Sequence, residues 1–121
     1  MAVIVTEAHF SADDRAAAED LALAEIAARG WYGIGLDFHT DEEELHWHDF
    51  ASVLYIIDGE FRALDAGTDR WHTAGPGTTI EAPAGVVHRE QDSHFRAVIG
   101  IDRPLDQITQ PINKPLDQLI R

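Results

Sequence analysis

The chain changes its hydrophobic period once, near residue 30. Before that point Ala16, Ala17, Ala18, Leu21, Ala22, Leu23, Ala24, Ile26 and Ala27 make a strong helix former between Ser11 and Gly30. Ser11 followed by Asp14 has the form of a helix N-cap, Asp13 and Asp14 suit a first turn, and Gly30 after Arg29 is a C-terminal stop. The apolar stripe is thin and alanine-rich, which predicts a helix packed on the outside of a larger body. From Trp31 onward the period is two: Tyr32, Ile34, Leu36 and Phe38 share one parity, and Gly33, Gly35, Asp37 and His39 the other. Short strand-like runs follow at residues 45–48, 52–57, 61–64, 78–81, 86–90 and 95–101. Between them stand the turn signals Asp58-Gly59, Ala66-Gly67-Thr68-Asp69, Gly75-Pro76-Gly77 and Pro83-Ala84-Gly85. Many short strands with Gly/Pro punctuation predict a sandwich or barrel, not βαβ units. Asp58-Gly59 between two apolar runs predicts a tight hairpin.

The tail is of another kind. Pro104-Leu-Asp-Gln-Ile108 recurs nearly unchanged as Pro115-Leu-Asp-Gln-Leu119, with Pro111 in between. Three prolines prevent a long helix and predict short turns or an extended arm, covering the barrel or a neighbouring subunit.

Composition narrows the function classes. The 121 residues suit one domain, and 45% hydrophobic residues exclude a disordered chain. A net charge of −13 argues against nucleic acid or an anionic membrane surface as partner. With no cysteine, disulfides, thiolate ligands and a cysteine nucleophile are excluded. No run of about 18 apolar residues occurs, and residues 1–10 lack a basic segment followed by an apolar one, so the expected location is cytoplasmic. No Gly-rich phosphate loop, paired-carboxylate signature or Gly-x-Ser-x-Gly elbow is present.

Candidate chemistry rests on the histidines. On a strand His46 and His48 point to one face and Trp47 to the other, so both imidazoles can reach one ion. Gly77, Pro83, Gly85 and His88 form a second spaced string, in which the Pro-x-Gly turn re-aims the chain and His88 with it. Imidazole suits Zn, Cu, Fe and Ni, and three such ligands leave positions open for water or substrate.

These two strings, His46-Trp-His48 running on to Gly59 and Gly77 through His88, resemble the two motifs of the cupin superfamily over residues 46–92. The resemblance implies an all-β fold, a double-stranded β-helix or jelly-roll barrel, here with an N-terminal α-helix. An N-terminal strand and helix would occupy residues 1–30, the barrel 31–103 and a C-terminal arm 104–121. It also implies a divalent transition metal (Fe, Ni, Zn or Mn) held by two histidines, a glutamate and a third histidine. This chain departs from that set: the glutamate's place falls on Ser52, or on Val53 in the longer spacing. The asparagine that often follows the third histidine is also lacking, since Gln91 and Asp92 stand there. The expected metal ligands are therefore His46, His48 and His88 alone.

Two readings follow. The first is a metal-dependent oxygenase-type enzyme, a possible dioxygenase, acting on a small organic acid, diketone or thiol. The second is a non-catalytic module that binds or senses a metal or small molecule. Sugar isomerase chemistry has less support, because no base is placed by spacing. The expected partners are a small molecule and a second copy of the chain, since cupin barrels commonly pair as homodimers through edge strands. Glu90, two residues past His88, and Tyr55, inward only if Val53 and Ile57 are, are the possible catalytic residues. Glu42, Glu43, Glu44 and Asp49 read as a solvated acidic loop, His94 as a rim residue, and His72 as a residue without a spacing argument.

Overall fold

The computed structural model describes residues 3–109 and 111–118. In chain order it contains β1 (Ile4–Thr6), α1 (Arg15–Ala28), β2 (Tyr32–Glu42), β3 (Ser52–Asp65), β4 (Arg70–Ala74), β5 (Thr79–Ala82) and β6 (His88–Ile101). Two short 3-10 turns follow at Leu105–Gln107 and Leu116–Gln118. They are the same Leu-Asp-Gln in the two copies of the tail string, each set off by a preceding proline.

All strand pairs are antiparallel. The main sheet has the order β1-β5-β3-β6-β2, and β4 pairs with the far half of β3. β3 and β6, 14 residues each, run beside one another from Ser52–Ile101 to Asp65–His88. The register shifts between Ile56 and Asp58 and again between Glu60 and Ala63. Such bulges bend a strand, so one long pair serves both layers of the barrel. The cluster of Ile56, Phe61, Ala63, Ala74, Ile80, Phe95 and Ala97 draws on both halves of that pair.

The hairpin expected at Asp58-Gly59 does not form, because the apolar runs on its two sides pair with the same partner, β6, and not with each other. Gly59 sits at φ +84, where an added Cβ would stand 2.2 Å from the carbonyl oxygen of His94. Glycine here serves a bulge pressed against a neighbouring backbone. Of the expected runs 86–90 and 95–101, residues 88–90 and 95–101 likewise belong to one strand, with Asp92 at φ 51 within it. Residues 45–48 form only two isolated bridges, His46–His88 and Trp47–Lys114. β4 had no periodic signal strong enough to predict it. Its hairpin to β3 uses the expected turn at residues 66–69.

The helix starts later than expected. Asp14, not Ser11, is the N-cap and accepts the Ala17 N–H at 3.1 Å, while the Ser11 hydroxyl takes the Asp13 N–H. Gly30 ends it at φ 77, as expected. Ala18, Ala22 and Ile26, four apart, are its buried stripe, packed on Val53, Tyr55, Ile57 and Val98. Gly100 makes room for Ile26, since a Cβ there would come within 2.8 Å of it. Glu19 closes the contact by accepting two hydrogen bonds from the Arg96 guanidinium at 2.7 and 3.0 Å. At the sheet edge, β2 leaves Tyr32, Ile34 and Leu36 exposed. Among the described residues no helix is long and apolar enough to cross a membrane.

Candidate metal centre

The three histidines come together by two routes. His46 and His88 face each other in a backbone bridge, each N–H donating to the other's carbonyl at 2.9 Å. His48 follows two residues on, held where the Gly85 N–H donates to its carbonyl at 2.9 Å. The Pro83-Ala84-Gly85 turn therefore ties the two motifs directly. The ring centroids lie 4.5 to 5.1 Å apart, and one nitrogen from each ring lies within 4.8 Å of the other two.

The tautomers are set by what the outer nitrogens touch. Nδ1 of His46 meets the Glu44 carbonyl at 2.8 Å, Nδ1 of His88 the Val86 carbonyl at 3.0 Å, and Nδ1 of His48 the Ile112 carbonyl at 2.9 Å. A carbonyl only accepts, so each Nδ1 carries the proton, and in the neutral ring Nε2 keeps a lone pair. Burial pushes His48 and His88 down to about 4, with the other rings adding to the effect. The result is three inward lone pairs with fixed orientation, the donor set of a first-row metal with its outer hydrogen bonds already made.

These rings line a cavity of about 300 Å³. Its walls include Phe38, Phe50, Phe61, Phe95, Leu54 and Ile99. Ser52 lines it too, so the position lacking the glutamate does face the cavity. Three carboxylates reach the cavity, Glu43, Asp65 and Glu90, and Asp65 is held by the N–H groups of Val3 and Gly67 at 3.0 Å each. Glu90 lies on its wall with Oε1 buried and without a hydrogen-bond partner among the described residues. Desolvation, and then the neighbouring Glu43, raise its pKa to about 7. Glu43 lies with Oε1 4.0 Å from Nε2 of His46, and that oxygen also accepts the Glu90 N–H at 3.0 Å. Glu43 is thus no part of a solvated loop, because its own N–H pairs with the Glu90 carbonyl at 3.0 Å. Nothing in the run Glu42-Glu43-Glu44 distinguishes it in sequence. His72 was also missed, and reaches the cavity from β4.

Two other candidates lie elsewhere. Tyr55 points to the opposite side of β3, under α1, and its hydroxyl donates to Glu25 at 2.7 Å. It cannot touch a molecule in the cavity, because Val53, Tyr55 and Ile57 are the sheet's helix-facing parity. His94 is exposed and stacks on His39 across β6 and β2, with centroids 4.8 Å apart.

The buried ionisable groups give the metal-free protein a pH dependence. His48 and His88 have folded values near 4, below the unfolded value of about 6.5. They contribute stability that is present above pH 6.5 and lost as pH falls toward 4. Glu90 has the opposite sign: its folded value near 7 exceeds the ordinary carboxylic value of 4.5, so its contribution is present below pH 4.5 and lost as pH rises through 7. Two groups outweigh one, so the metal-free protein should lose stability on acidification from pH 6.5 to 4. Glu90→Gln should steepen that loss. Urea midpoints across this range measure both, and a flat profile in Glu90→Gln would contradict the assignment.

No family model and no curated protein matches the chain. Solved structures do. The DMSP lyase DddQ from Ruegeria pomeroyi DSS-3 superimposes with TM-score 0.53 at 21% identity, over 64% of this chain and 40% of that chain. The matched part therefore spans 40% of the length of DddQ. Protein NMB1881 from Neisseria meningitidis gives TM-score 0.48 at 19% identity, over 60% of this chain and 72% of that one. A DUF861 family protein from Thermotoga maritima gives 0.49 at 13%, over 80% and 96%. At such identities the similarity is one of fold, and the fold is the cupin jelly-roll barrel with one N-terminal helix.

Proposed function

We propose that the protein is a metal-dependent enzyme acting on a small molecule held in the barrel. One observation carries this reading: three histidine rings, each tied through Nδ1 to a backbone carbonyl, converge on the wall of a largely apolar cavity. In this proposal His46, His48 and His88 hold a divalent transition metal through Nε2. When bound, such an ion supplies Lewis-acid polarisation and, for iron, the redox capacity of oxygenase-type chemistry. Phe38, Phe50, Phe61 and Phe95 exclude water and receive the apolar body of the substrate. Glu90 is placed to accept a proton from it. No lysine or arginine is among the described residues of the wall, whereas Glu43, Asp65 and Glu90 are. Of the expected substrates, a neutral diketone or thiol fits this wall better than a carboxylate already ionised.

The buried, unpartnered Glu90 oxygen favours a second reading, proton abstraction without redox change, as in a lyase or isomerase. Metal analysis of the purified protein, followed by oxygen uptake with a panel of diketones and thiols, separates the two. Iron with substrate-dependent uptake supports the oxygenase. Bound metal with substrate consumed and no oxygen used supports proton abstraction. No turnover of any panel member leaves the non-catalytic binding module. A homodimer and a cytoplasmic location belong to the same proposal. The exposed Tyr32, Ile34 and Leu36 on edge strand β2 support pairing, and sedimentation measures it.

A further inference from the structure

The outer hydrogen bonds of the three rings differ in one respect. His46 and His88 each use a carbonyl two residues earlier in the chain, while His48 uses Ile112, 64 residues away in the tail. Locally anchored rings keep their orientation whatever the tail does. His48 does not.

Several contacts hold the tail in register with that ring. Trp47 and Lys114 exchange backbone hydrogen bonds at 3.2 and 2.9 Å, and the Trp47 indole N–H donates to the Pro115 carbonyl at 3.0 Å. The Lys114 side chain is the unusual element. Its residue is only 8% exposed, and its ammonium donates to the carbonyls of Thr109 and Pro111 at 3.1 and 3.0 Å. Among the described residues this buried ammonium is served by carbonyls, and burying it is costly unless those bonds are made. Making them folds the segment that presents the Ile112 carbonyl. Apolar burial does little to hold this segment, because Ile112 and Leu116 are 43% and 45% exposed. An ordinary covering tail would bury such residues.

We infer that Lys114 is a positioning residue of the metal centre: it shapes the C-terminal strap that fixes the His48 ring for metal binding. The inference rests on the three-histidine reading above. A fixed ring favours the ion, and by linkage the ion must then stabilise the docked strap to the same degree.

Cobalt(II) titration of the full chain, followed by its visible absorption, tests this together with amide hydrogen exchange. Lys114→Met should weaken cobalt binding about 10-fold or more, with one site retained and the absorption bands shifted, in the range seen when outer partners of metal ligands are lost. In the wild-type chain, cobalt should slow exchange of the Trp47 and Lys114 amides. Wild-type affinity and spectrum in Lys114→Met overturn the inference alone. So does exchange at those two amides that ignores cobalt, a comparison that decides the matter even where the variant does not fold. A wild-type chain that takes up no cobalt overturns the metal site itself, and this inference with it.

Discussion

His48→Ala is expected to abolish stable metal uptake, taking the stoichiometry from one ion per chain to none. Two imidazoles would remain, His46 and His88, and the Glu43 oxygen nearest to them, 4.0 Å from Nε2 of His46, is already engaged by the Glu90 N–H. Deleting a direct ligand removes more than the roughly 10–100-fold typical of its outer partners, so retention through dialysis should fail. The fold should survive, because His48 lies outside the regular strands and its ring, pushed down to about 4 by burial, contributes nothing as a charge at neutral pH. Metal content by emission spectroscopy, beside circular dichroism of the same sample, separates loss of the site from loss of the protein. A folded His48→Ala protein with undiminished metal would disprove the site.

Gly59→Ala should be among the most damaging single-methyl changes. The left-handed backbone at φ +84 disfavours any Cβ by about 1–2 kcal/mol. The new carbon would also stand 2.2 Å from the His94 carbonyl oxygen and 2.8 Å from the Phe95 Cα, both backbone atoms that cannot rotate away. Overpacking of this kind adds about 1–3 kcal/mol, so a total near 3 kcal/mol is expected. For a chain of this length that lowers Tm by roughly 10 °C or more. Were residues 58–59 a solvent-exposed hairpin turn, only the conformational part would be lost. A fall of only about 3–7 °C by calorimetry would therefore argue for the hairpin and against the bulge.

These outcomes also mark where local pattern stops being informative. Asp58-Gly59 has the composition of a hairpin because glycine at positive φ suits both a turn and a bulge. Which one forms depends on whether the flanking runs meet each other or a third strand, and β6 begins only at His88. The helix was readable in type and end but not in start: Ser11 and Asp14 both cap well, and packing of Ala18, Ala22 and Ile26 on the sheet selects Asp14.

Within the site the division is similar. His46 and His48 share a face by strand geometry, the Pro-x-Gly turn brings His88 back, and Ser52 in the missing glutamate's place faces the cavity. All of these follow from spacings of a few residues or from the motif strings, so the sequence by itself determined the barrel and its three candidate ligands. Tertiary structure alone decided the rest. Glu43 lies in an acidic run with no periodic signature, and it enters the site because its backbone pairs with Glu90, 47 residues on. Tyr55 leaves the site because α1 covers its side of β3. The third ring's orientation depends on a carbonyl 64 residues away. The physical reason is common to all three: side-chain parity is a local property of a strand, whereas strand register and the docking of an irregular tail are set by the bulges, bridges and buried polar groups of the folded whole.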